Sequence, residues 1–198
     1  MRNKEIKEFI IQETKALLLE RKNVTIKDIA ERCFINIASV NYHFGSKDTL
    51  IYLVVEKVIE ELKANILMVL QEHKHEEKNV LIEEMIKFTY NFALENMGML
   101  YYLFINQDGQ QKSANLFITT FFTDNEFTRM IFKEIKVYSD SADNTTIFAR
   151  YMILFSSFCM PLFISILKSD EDNSIETFKD EHFRNVFIKE LLRIIDTN

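Results

Sequence analysis

The residues of this 198-residue chain whose types and spacing could do chemistry lie close together: Thr25, Asn36, Ile37, Ala38, Ser39, Asn41, Tyr42, His43 and Lys47. Their chemistry is recognition. A helix capped by Asn36 and running through Phe44 would turn Ile37, Val40 and Phe44 inward and leave Ala38, Ser39, Asn41 and Tyr42 outside. Asparagine can pair bidentately with adenine, serine can donate or accept, and Ala38 or the edge of Ile37 can touch a thymine methyl. Such a face suits the major groove of double-stranded DNA. Gly45 ends that helix, Ser46 caps the next, and Lys47 falls in its first turn. Free backbone N–H groups there, with the Lys47 ammonium beside Tyr42 and His43, would clamp a phosphate.

Three helices must position that face. A first, from about Lys4 to Arg21, carries Ile6, Ile10, Leu17 and Leu18 for packing. A second runs from a Thr25 cap to Cys33, with Asp28 three residues on as in a capping box and Ile26, Ile29 and Ala30 on one side. After a break at Phe34 and Ile35 comes the recognition helix itself. A long helix from Ser46 to about Gln71, with Leu50, Leu53, Val54, Val58, Leu62, Ile66, Val69 and Leu70 at helical spacing, then leads from the clamp into the rest of the chain.

Asp28-Ile29-Ala30, followed by Val40-Asn41-Tyr42-His43-Phe44-Gly45-Ser46-Lys47-Asp48 and an apolar Leu50, resembles the N-terminal DNA-binding domain of the TetR family of transcriptional regulators. The resemblance covers about a quarter of the chain. It implies that the positions matching Thr25, Tyr42, His43 and Lys47 hold phosphates, and that those matching Asn36 through Asn41 face base edges. Two departures stand out. Phe34 occupies the turn position where the family usually carries glycine, and a bulky residue tolerates a left-handed conformation poorly. The connection before Thr25 lacks the family's glycine-aromatic pair and is shorter.

Composition points to an all-α chain: 47% hydrophobic residues, with only 3 glycines and 1 proline to punctuate hairpins or phosphate loops. Residues 1–50 carry 9 Lys+Arg against 7 Asp+Glu and the remainder 15 against 23, so the net charge of -6 divides as +2 and -8. Basic groups gathered at one end let an acidic protein hold DNA. No nucleophile-base pair, carboxylate pair or metal cluster has usable spacing, so the expectation is no enzyme, no metal and no cofactor. His73 and His75 do not share a helix face, and the charged run around them reads as a solvated helix end. Cys33 and Cys159 have no partner spacing, which favours a reducing cytoplasm. No run reads as a membrane span, the nearest, Met152 to Leu167, being interrupted by Ser156, Ser157 and Pro161.

The division expected is a helix-turn-helix domain over 1–48 and a larger helical effector-binding and dimerisation domain over 49–198. The second would contain helices over about 79–95 and 97–106, a break around Gly109, an aromatic stretch over 114–138 divided near 123–125, and helices over 144–168 and about 179–196 joined by an acidic linker at 169–174. With 18 phenylalanines and no tryptophan, this part could line an apolar cavity. Its candidate residues are Phe88, Asn91, Phe92, Tyr101, Tyr102, Phe104, Phe117, Thr120, Phe121 and Phe155, with Asn106 as a further polar group. Core packing explains any one of them without a ligand, and only the family resemblance raises a pocket above that. The helix over 144–168 is apolar almost all round and so must be covered on more than one side. Tyr151, Phe155, Phe158, Leu162, Phe183, Phe187, Leu191 and Ile194 would join two copies in a four-helix interface, which agrees with the family's usual two-fold homodimer. The function that follows is a dimeric repressor on a pseudo-palindromic operator, released by a small apolar or aromatic effector. The alternative is a DNA-bound scaffold that recruits a protein partner and senses no small molecule.

Overall fold

The computed structural model describes residues 2–21, 23–104, 111–139, 143–167 and 179–195. Among these, ten helices follow in order: α1 (Arg2–Glu20), α2 (Ile26–Arg32), α3 (Ile37–Phe44), α4 (Lys47–Glu72), α5 (Lys78–Glu95), α6 (Met97–Phe104), α7 (Gln111–Phe122), α8 (Glu126–Tyr138), α9 (Asn144–Leu167) and α10 (Glu181–Ile195). No strand occurs among the described residues, as the scarcity of glycine and proline led one to expect. The division of the aromatic stretch has a local cause. Asn125 accepts from the Thr128 N–H at 3.1 Å while Thr128 Oγ1 accepts from the Asn125 N–H at 3.1 Å, a reciprocal cap that starts α8 afresh. Asn106 and the 169–174 linker lie outside the described residues.

Packing sorts the chain into two units, one of residues 1–61 with 96–119 and the other of 62–95 with 120–198. In the first, Ile10, Leu17 and Leu18 of α1 are buried, as are Ile29 and Ala30 of α2, Val40 and Phe44 of α3, and Leu50, Ile51 and Val54 of α4. Polar ties set α2 on α1: Arg32 donates through Nε to Glu13 at 2.8 Å and through Nη2 to Glu20 at 3.1 Å. Helix α6 meets α1 backbone to backbone. A Cβ built on Gly98 would fall on the Leu18 carbonyl oxygen and lie 3.4 Å from that of Arg21, so only a residue without a side chain fits there.

The turn between α2 and α3 bears out the concern about its bulky residue. Phe34 has φ of 55°, is 95% exposed, and donates its N–H to the Glu31 carbonyl at 3.1 Å. A left-handed conformation costs a residue with a Cβ about 1–2 kcal/mol, and an exposed ring regains little of it by packing. Phe34→Gly should therefore raise stability by about 0.5–1 kcal/mol after the extra unfolded-state freedom of glycine is subtracted, as a shift in denaturation midpoint would reveal. No gain would mean the turn relaxes without strain.

The second unit packs α5, α8, α9 and α10 around aromatic rings. Tyr90 is fully buried, its hydroxyl 3.1 Å from Ser157 Oγ and its ring 4.1 Å from that of Phe158 and 6.1 Å from that of Phe187. Tyr151 donates to the Phe121 carbonyl at 2.7 Å, and Phe122 stands edge-on to Phe155 at 4.5 Å. Burial pushes both phenols, Tyr90 and Tyr151, well above their ordinary range, so both remain neutral donors.

Helix α9 corrects one expectation. Its residues Asn144–Ile164, 21 in all, are long and apolar enough to cross a membrane by length and composition. The serines do not interrupt that character, because Ser156 and Ser157 hand their protons to the Ile153 and Leu154 carbonyls inside the helix at 3.0 and 2.6 Å. Little of the segment is buried, and Phe148, Met152, Ile153, Met160 and Phe163 are exposed along it. Arg150, in contrast, is buried and reaches the Ser139 carbonyl at 3.3 Å, which anchors this helix to the end of α8.

Candidate nucleic-acid interface

The recognition face is built from caps upward. Thr25 Oγ1 accepts from the Asp28 N–H at 3.2 Å while Asp28 Oδ2 accepts from the Thr25 N–H at 2.8 Å, the full capping box expected for α2. Hydrogen bonds from Thr25, first the hydroxyl and then the backbone, hold the Asp28 carboxyl below its ordinary value. Asn36 starts α3 by accepting the Ser39 N–H on Oδ1 at 2.7 Å. That bond takes one of the two lone pairs of Oδ1 and ties the side chain to the start of α3, whereas pairing with adenine needs both ends of an amide turned to the base. Asn41 is exposed, and no side-chain hydrogen bond engages it among the described residues. It is the amide on α3 free to read in that way.

Around Asn41, Ala38 is exposed, Ser39 half-buried and Tyr42 80% exposed. Ile37, expected to turn inward, is instead 41% exposed. As the first residue of α3 it has no preceding turn against which to pack, so its side chain joins the outer face. Gly45 closes the helix at φ of 77°, a conformation that favours glycine although no atom lies within 4 Å of where a Cβ would stand.

The clamp follows directly. Ser46 Oγ accepts the Thr49 N–H at 3.1 Å and so caps α4. Lys47 in its first turn is half-buried, with Nζ 3.4 Å from the Val24 carbonyl and 5.9 Å over the Tyr102 ring. Tyr102, which the sequence marked as a candidate for a ligand pocket, is 1% exposed beneath this ammonium. His43 is half-buried with its ring 5.2 Å from that of Tyr42, and its enclosed Nδ1 has no hydrogen-bond partner among the described residues. Lys7 of α1 lies 5.9 Å over the Phe44 ring, which sets a second cation near the end of α3. Neither the Lys7 nor the Tyr102 contact had a signal in the sequence, since both join distant segments.

Much of the positive charge in this unit is already matched. Lys15 pairs with Glu61, Lys57 with Glu8, Arg32 with Glu13 and Glu20, Lys27 with Glu31, and Arg21 with Asp28.

The remaining candidate residues are scattered. Tyr101, Tyr102 and Phe117 belong to the first unit, where Phe104 ends α6; Phe88, Asn91, Phe92, Thr120, Phe121 and Phe155 belong to the second. Phe121 and Phe155 are brought together at 5.9 Å, as are Phe88 and Phe92 at 6.0 Å. Of the positions considered for dimerisation, Tyr151, Leu162 and Leu191 are buried within the chain, Phe155, Phe158, Phe183 and Phe187 are half-buried, and Ile194 is 67% exposed.

A capped helix pair with an exposed reading face and a capped clamp after it defines a helix-turn-helix module. Residues 10–52 match the family described as bacterial regulatory proteins, tetR family. The chain is also similar to a crystal structure of a protein described as a TetR-family transcriptional regulator from Mesorhizobium loti MAFF303099, with a TM-score of 0.68 and 14% identity over 98% of each chain. No curated protein matches the sequence. The N-terminal segment thus carries the TetR-family signature, and the chain as a whole has the TetR-family fold.

Proposed function

We propose that this protein is a DNA-binding transcriptional regulator, a cytoplasmic homodimer that represses from a pseudo-palindromic operator and is released by a small apolar or aromatic effector. The observation that carries the DNA-binding part is the outward face of α3, where Asn41 and Tyr42 stand uncovered beside the Lys47 turn. Residues 1–48 would hold the duplex and 49–198 would pair two copies. The exposed side chains Met152, Met160 and Phe163 of α9 with Val186 and Ile194 of α10 suit that pairing, and sedimentation of the purified protein tests it. Helix α4 starts at the clamp and ends in the second unit, so it is the covalent route by which an effector could shift recognition-helix spacing. The effector must bind the two states unequally for that to work.

Footprinting of the purified protein on its own source DNA tests the reading at once; no protected site and no duplex retained at low ionic strength would sink it. Lys47→Ala should weaken binding to all sequences and flatten the dependence of log K on log salt by about 0.9 for each phosphate that is no longer neutralised. An unchanged slope assigns the clamp elsewhere. Asn41→Ala should cost about 1–3 kcal/mol at one base position per half-site. A uniform loss over all sequences would place Asn41 on the DNA backbone instead.

The scaffold reading, in which a protein partner replaces the effector, is favoured by one observation: the rings of Phe121, Phe122, Tyr151 and Phe155 pack on one another. Mass spectrometry of material carried through purification separates the two. A stoichiometric small molecule supports sensing, and a co-purifying polypeptide supports recruitment.

A further inference from the structure

Within the first unit, the start of α4 and the facing side of α7 leave a cleft of about 580 Å³ between them. Thr49, Tyr52 and Leu53 line one wall at the spacing of a single helix face. Lys112, Asn115, Leu116 and Thr119 line the other in the same way. Leu53 and Leu116, both half-buried, supply apolar surface, and the polar groups between them include an ammonium, an amide and the two threonine hydroxyls. The Tyr52 hydroxyl is turned to Glu56 at 3.4 Å, which is not part of the lining. Lys112 is the one charged group in the lining, it is exposed, and no ion pair engages it among the described residues.

We propose that this cleft binds a small amphipathic monoanion, a carboxylate on a short hydrocarbon body. One ammonium balances one negative charge, whereas an organic phosphate dianion would leave a second charge uncompensated near Glu56. The Asn115 amide adds a donor for the carboxylate oxygens, the Thr119 proton being held by the Asn115 and Leu116 carbonyls of its own helix, and charge-assisted hydrogen bonds of the kind Lys112 can make are the stronger ones. The two leucines and the aliphatic stem of Lys112 cover the hydrocarbon. The site is separate from the aromatic residues singled out in the sequence, none of which lines it. It also touches the clamp: the Thr49 hydroxyl lies 3.0 Å from Ser46 Oγ, the group that caps α4 one residue before Lys47. This inference goes beyond the proposed function and does not need it.

Octanoate, octanol and octylamine, equal in tail and different in charge, test the site by calorimetric titration into the full-length protein. Octanoate should bind about fivefold more tightly than octanol, with octylamine weakest. Lys112→Ala should abolish the preference while weakening octanol only through the lost contact with the lysine stem, and Lys112→Glu should reverse it towards octylamine. Because Lys112 is exposed, both variants should melt as the parent does. Equal affinity for octanoate and octanol, a preference that survives Lys112→Ala, or no binding up to about 10 mM would each overturn the proposal. DNA retention is a separate measurement, so failure here is distinguishable from failure of the regulator reading.

Discussion

Gly98→Ala should lower the stability of the protein by about 3 kcal/mol, although alanine gains roughly 1 kcal/mol over glycine in helix propensity. The reason is spatial. The methyl group would fall on the Leu18 carbonyl oxygen, and that obstacle is the backbone of another helix, which no side-chain rotation can move. Either α6 or the last turn of α1 must shift, and α1 carries Leu17 and Leu18, both buried in the core of the unit that presents α3. Thermal melting should show a fall on the order of 10 °C for a chain of this size. A variant that melts like the parent would show that the two helices separate at little cost, and the close approach would lose its importance.

Tyr90→Ala should be costlier still, at about 4 kcal/mol, because it empties a fully buried site whose neighbours are the rings of Phe158 and Phe187. Tyr90→Phe separates the ring from its hydroxyl. Ser157 donates its own proton to the Leu154 carbonyl at 2.6 Å, so the phenol is the donor in the Tyr90–Ser157 pair, and its loss should cost only about 1 kcal/mol. Denaturant midpoints of the two variants check this ratio. If the phenylalanine variant lost as much as the alanine one, the hydroxyl rather than the ring would be what the second unit depends on.

What the sequence made legible was local. Thr25 with Asp28 and Asn36 at the start of α3 are caps whose donors and acceptors lie three residues apart, so residue order alone reveals them, and both are present; near Asn125 only a division was legible, and the reciprocal cap with Thr128 is its cause. The strain at Phe34 was legible for the same reason, since it follows from a side chain at a turn. Contacts between distant segments had no such signature. Gly98 is one of 3 glycines, and nothing beside it in the chain announces the carbonyl of Leu18. Tyr102 stood among other aromatic residues at core spacing and proved to lie under Lys47. Helix α9 was hard for another reason: with apolar residues on every side, periodicity could not tell the covered face from the exposed one, and Tyr151 is 6% exposed while Met152 beside it is 39% exposed.

The pairing of Lys15, Lys57 and Arg32 with carboxylates of the same unit bears on how a regulator of this kind would find its target. Sequence-independent attraction to a duplex grows with each lysine or arginine that can displace a condensed cation. A protein that spends those groups on itself would linger only briefly at random genomic positions, and its occupancy of an operator would rest on base reading more than on charge.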